Sequence, residues 1–107
     1  MRNSNHNLLK LMIFADYFDS VFEQVSAAVT KKPSGWITVE LTEYVLYCLQ
    51  LLENNGYPPA AYADEIQAFM WQACPAVALQ ILGYPNSAGR WKIERETAYL
   101  GIELDCR

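Results

Sequence analysis

The chain has 107 residues, 52% hydrophobic and 19% charged, which suits one globular domain and excludes a disordered or low-complexity segment. Twelve acids against eight bases leave a net charge of −4, and the bases are scattered. That excludes a direct nucleic-acid surface built on phosphate neutralisation and makes a basic protein the natural partner. The apolar segment Leu8–Val29 is broken by Lys10, Asp16, Asp19, Ser20, Glu23 and Gln24. Neither a membrane span nor a signal peptide is expected from it, and the default location is cytoplasmic.

In chain order, residues 1–6 are polar and expected to be flexible, with Asn5 or Asn7 capping a helix from Leu8 to about Thr30. Leu8, Leu11, Met12, Ala15, Phe18, Phe22, Val25 and Val29 recur at steps of three and four. Further apolar residues at Leu9, Ile13, Phe14, Tyr17 and Val21 broaden that face, so this helix is expected to be covered on two sides. Pro33, Ser34 and Gly35 break the chain. Trp36–Leu41 reads as a short strand or a helix start, and a second helix is expected from about Val39 to Asn54, stopped by Asn55 and Gly56. Pro58 and Pro59 open a third helix, which Pro75 kinks or restarts as a short fourth ending at Leu82 and Gly83.

After Pro85 the period changes to two. Arg90–Arg95 and Tyr99–Leu104 read as a β-hairpin joined by Glu96, Thr97 and Ala98, with Trp91, Ile93, Leu100, Ile102 and Leu104 facing inward. A lone hairpin is marginal, so a third strand near Trp36 can complete it. The expected fold is α+β, mainly helical with three to four helices and a C-terminal hairpin, in a single domain over residues 1–107.

Motifs that carry chemistry are missing from the chain. His6 is the only imidazole, and no phosphate loop, dinucleotide fingerprint or H-E-x-x-H occurs. Cys48, Cys74 and Cys106 form no C-x-x-C pair, so two buried thiols and one near the C-terminus are expected, rather than a disulfide framework or a zinc site. Cys74 before Pro75 would need a second ligand to hold haem, and none is in view. The protein is therefore expected to be a non-enzyme with no metal and no cofactor.

The candidate partner-binding residues are acids and surplus aromatics. Asp16, Asp19 and Glu23 share one side of the first helix, where they form a solvated face, an acidic docking stripe or a carboxylate pair for a cation. Asp64 and Glu65 extend the acidity, and they also suit the N-terminal half of a helix. Trp71, beside an apolar side already supplied by Ile66, Phe69 and Met70, and Tyr57 and Tyr84, beside turn prolines, are the aromatics most free to contact a partner.

This acidic, motif-poor, aromatic profile, with the segment Ala15-Asp16-Tyr17-Phe18-Asp19, resembles the bacterial immunity proteins of contact-dependent growth inhibition. The resemblance implies a cytoplasmic, non-enzymatic inhibitor whose acids cover the basic substrate-binding surface of a cognate nuclease toxin. The other reading is a structural or adaptor subunit that forms a homo- or hetero-oligomer through the apolar first helix.

Overall fold

The structure, a computed structural model, describes residues 2–105. The element order is α1 (Arg2–Lys31), β1 (Gly35–Glu40), α2 (Thr42–Asn54), α3 (Pro59–Ala73), α4 (Pro75–Ile81), β2 (Ala88–Glu94) and β3 (Thr97–Leu104). The fold is mainly helical α+β, with a three-stranded antiparallel sheet in the order β1-β3-β2. No helix among the described residues is long and apolar enough to cross a membrane.

Helix α1 begins at Arg2, so Asn5 and Asn7 lie within it and do not cap a start at Leu8. His6, expected in a flexible terminus, stands 5.0 Å from the rings of both Tyr57 and Phe69. The core takes the row Leu9, Ile13, Val21, Val25 and Val29, with Tyr17 half-buried between. Steps of four drift slowly around a helix, so this row follows a neighbour that crosses α1 at an angle. The second apolar row is uncovered in its N-terminal half, where Leu8 is 56% exposed, Leu11 66%, Met12 40% and Phe14 36%, while Phe18 and Phe22 further along are half-buried against the core. Coverage on two sides, expected from the broad pattern, is thus corrected for the N-terminal half of α1.

The Trp36–Leu41 ambiguity resolves as strand β1, because Ile37 and Val39 alternate into the core while Trp36, Thr38 and Glu40 face out. Gly35 makes the entry at φ 82°, a conformation that favours glycine. Helix α2 consequently starts at Thr42, three residues later than expected. The Thr42 hydroxyl accepts a 3.1 Å bond from the Ala98 amide and donates to Glu40 at 2.7 Å, tying the start of α2 to β3.

Helices α2 and α4 end in the same way. The Gly56 amide bonds Glu53 O at 3.2 Å and the Tyr57 amide bonds Leu52 O at 2.9 Å; Gly83 and Tyr84 repeat this on Gln80 and Leu79. Gly56 and Gly83 stand at φ 92° and 98°. Each is a Schellman end, in which the residue after the left-handed glycine packs back on the helix. Between them, α3 opens on Pro59 and kinks at Tyr62 (φ −128°, ψ 32°), and Cys74 (φ −132°, ψ −51°) separates α3 from α4.

The hairpin turns at Arg95 and Glu96, shorter than expected, with Arg95 at φ 56°. Ala98, Leu100, Ile102 and Leu104 on β3 join Ile37 and Val39 in the core. On β2 the inward positions are filled differently. Trp91 is half-buried and donates its indole N–H to Gln67 O at 3.1 Å. Ile93, expected inside, is 52% exposed.

Candidate protein-binding surface

The acids of α1 sit at its solvent side beside the uncovered apolar row. Asp16, Asp19 and Glu23 are all exposed. Asp16 accepts a hydrogen bond from the Tyr47 hydroxyl on α2, and that bond, with some desolvation, pushes the Tyr47 phenol up to about 12. Asp16 is therefore held by the fold, whereas Asp19 and Glu23 make no side-chain hydrogen bond or ion pair among the described residues and project as open charges. Phe14, Phe18 and Phe22 form a ladder next to them, with centroids 4.5 Å and then 5.6 Å apart. The outer face of α1 thus offers an apolar ridge with an acidic margin.

Asp64 and Glu65 are exposed on α3. Glu65 borders a small crevice with His6, Tyr57 and Phe69, and no bond joins it to the α1 acids among the described residues. The five acids therefore form no single cluster. Among the described residues, no three His, Cys, Asp or Glu side chains come together to hold a metal.

The three aromatics expected at the surface are placed otherwise. Tyr57 is only 7% exposed and packs on His6 and Tyr62, a correction whose cause is the Schellman end that folds it back onto α2. Tyr84, half-buried, takes the same position on α4 and donates its hydroxyl to Pro33 O at 2.9 Å. Trp71 is half-buried and lies across Gly89 of β2, so close that a Cβ there would stand 2.3 Å from the ring. All three join elements of this chain. The large hydrophobic side chains left exposed are mostly aliphatic: Leu8, Leu11 and Met12 on α1, Leu46 on α2, Ile81 on α4 and Ile93 on β2, with Phe14 and Trp36 beside them.

On the solvent face of the sheet, Trp36 leans over Gly101 and an open groove of about 540 Å³ runs past Thr38, Arg90, Lys92, Glu94 and Tyr99. Lys92 pairs with Glu94 at 3.3 Å, while Arg90 has no ion pair among the described residues. The buried side holds Tyr44, whose hydroxyl donates to Met70 O at 2.7 Å. Nearby, burial pushes the Cys48 thiol up to about 12 and the Cys74 thiol up to about 11. Thiols held protonated in this way are packing groups and not nucleophiles. Cys106 lies outside the described residues.

Comparison of the chain with protein-family models, with curated proteins and with solved structures found no match.

Proposed function

We propose that the protein is a non-enzymatic inhibitor of the immunity type, which docks the outer face of α1 on a basic partner in the cytoplasm. In that reading the partner is a nuclease toxin domain whose active site is occluded. The observation that supports it is the uncovered ridge of Leu8, Leu11, Met12 and Phe14 flanked by the open charges of Asp19 and Glu23. Apolar burial at the ridge supplies affinity, and the acids raise the encounter rate and reject acidic competitors.

The test is a tagged pull-down from the source lysate in mild salt, run in parallel with D19K/E23K and with L11K. A stoichiometric basic nuclease domain should come down with the wild type and be lost or much reduced with both variants. Equal recovery by all three proteins would remove α1 as the docking face, and a stoichiometric acidic or neutral partner would remove the toxin reading.

A second reading is favoured by one specific feature: Leu8, Leu11, Ala15, Phe18 and Phe22 follow the alternating three-and-four spacing of a helix seam. An oligomeric subunit would use that seam apolar face to apolar face. Its association would depend little on salt, whereas the charge-steered inhibitor slows as ionic strength rises.

A further inference from the structure

Strand β2 is an open edge. It pairs with β3 over Ala88–Glu94, and no backbone hydrogen bond joins its other side to any described segment. Open edges are templates for pairing with another strand. Six of its seven residues are exposed, and its two faces differ in kind. Arg90, Lys92 and Glu94 point to the solvent face, while Gly89, Trp91 and Ile93 lie on the core side. Ile93 is left 52% exposed there although the residue opposite it, Ala98, is buried.

We propose that β2 pairs antiparallel with β2 of a second copy of this chain, extending the two sheets into one of six strands. Continuity of the apolar face requires core-side residues to lie opposite core-side residues, so the two-fold axis must pass through a residue position. An axis at Trp91 sets Arg90 opposite Lys92 twice, two repulsive pairs. An axis at Ile93 runs the pairing into Arg95, whose φ of 56° leaves the extended conformation.

An axis at Lys92 avoids both faults. It places Arg90 opposite Glu94 of the second copy, and the reciprocal pair likewise, on the solvent face. On the core side it places Trp91 opposite Ile93 of the second copy, again twice, which covers the exposed isoleucine. The two Lys92 side chains meet at the axis, a single like-charge pair against the two of the Trp91 axis, and each stands 3.3 Å from its own Glu94, which it shares with Arg90 of the second copy. The other edge, β1, offers no such match, because its sequence Gly-Trp-Ile-Thr-Val-Glu has one acid and no base to answer it. The partner is thus a second copy and the register is specified by charge.

Sedimentation equilibrium of the full chain, from micromolar to millimolar concentration, tests this with four proteins. The wild type should show a monomer–dimer equilibrium. R90E turns both cross-strand pairs repulsive and should weaken it about tenfold or more, and E94R should do the same. R90E/E94R restores opposite charges across the axis and should recover most of the affinity. Hydrogen exchange should show β2 amides gaining protection as concentration rises. A chain that stays monomeric throughout overturns the proposal. So does a dimer indifferent to R90E, and so does a failure of the double variant to recover. The inhibitor reading stands or falls separately, since D19K/E23K should leave this equilibrium unchanged.

Discussion

Substituting Gly89 by alanine separates two effects that usually blur. Glycine in a strand interior costs about 0.5–1 kcal/mol relative to alanine, so Gly89→Ala should stabilise β2 if nothing else changed. Here an ideal Cβ would stand 2.3 Å from Trp71 Cζ3, 2.4 Å from Cε3 and 3.0 Å from Cη2. Comfortable carbon contacts are at about 3.5–4.0 Å, so the indole must retreat by more than about 1 Å. Overpacking of this kind costs about 1–3 kcal/mol, and the net result should be a loss of about 1–2 kcal/mol.

In a Trp71→Ala background the obstacle is gone, and Gly89→Ala should become stabilising by the same half to one kcal/mol. The double-mutant cycle therefore carries a coupling of about 1.5–3 kcal/mol between two residues eighteen positions apart. Urea denaturation followed by far-UV circular dichroism measures all four proteins without depending on the tryptophan that is removed. If Gly89→Ala costs the same with and without Trp71, the strain lies in the backbone and the packing argument is wrong.

Other perturbations test the core and its edges. Ile13→Ala should cost about 2–5 kcal/mol, whereas Leu11→Ala, two residues away on the uncovered row, should stay within about 0.5 kcal/mol; similar losses by denaturation would mean that the row is covered. Tyr44→Phe removes the bond to Met70 O and should cost about 1–2 kcal/mol, read as a lowered urea midpoint at unchanged m value. For alkaline pH the sign is set by burial: the folded thiols keep their protons to about 12 at Cys48 and about 11 at Cys74, against an ordinary 9.0. Stability is complete below pH 9 and falls as pH rises above it, by about 1.4 kcal/mol per thiol at pH 10. Cys48→Ala should remove its half of that thiol loss between pH 8 and pH 10, and an undiminished loss would count against it.

Helix and strand periods, with prolines and glycines between them, are local signals, and the order of elements follows from them. What period cannot supply is a choice between two apolar rows on one helix. In α1, Leu8-Leu11-Ala15-Phe18-Phe22 and Leu9-Ile13-Tyr17-Val21-Val25 are both helical rows, and the crossing neighbours decide which is buried. The seat of Trp71 is non-local for a related reason, since it depends on α3 lying against β2, although a glycine inside an alternating strand marks a close approach. Tyr57 and Tyr84 do carry a local signal. Gly56-Tyr57-Pro58 and Gly83-Tyr84-Pro85 each follow a helix, and an aromatic after a left-handed glycine is positioned to pack on the helix it ends. The neighbouring prolines are an opposing signal, because they favour an exposed turn.

The use of the tyrosines and Trp71 as internal fasteners changes what the surface can do. Tyr57 and Tyr84 clamp helix ends, Trp71 seats on β2, and Tyr47 holds Asp16 against α2, so most of the aromatic surplus is consumed in fixing elements to one another. In the proposed inhibitor reading, a partner would meet a helix fastened to its neighbours rather than adaptable loops. A ridge of aliphatic side chains on such a helix loses little backbone entropy on binding, which lets a modest contact area hold a partner. It also narrows the electrostatics. In the proposed inhibitor reading, steering would fall to Asp16, Asp19 and Glu23, since the bond from Tyr47 leaves the charge of Asp16 in place, and the salt dependence of association should be that of a three-charge site and not of a broad acidic face.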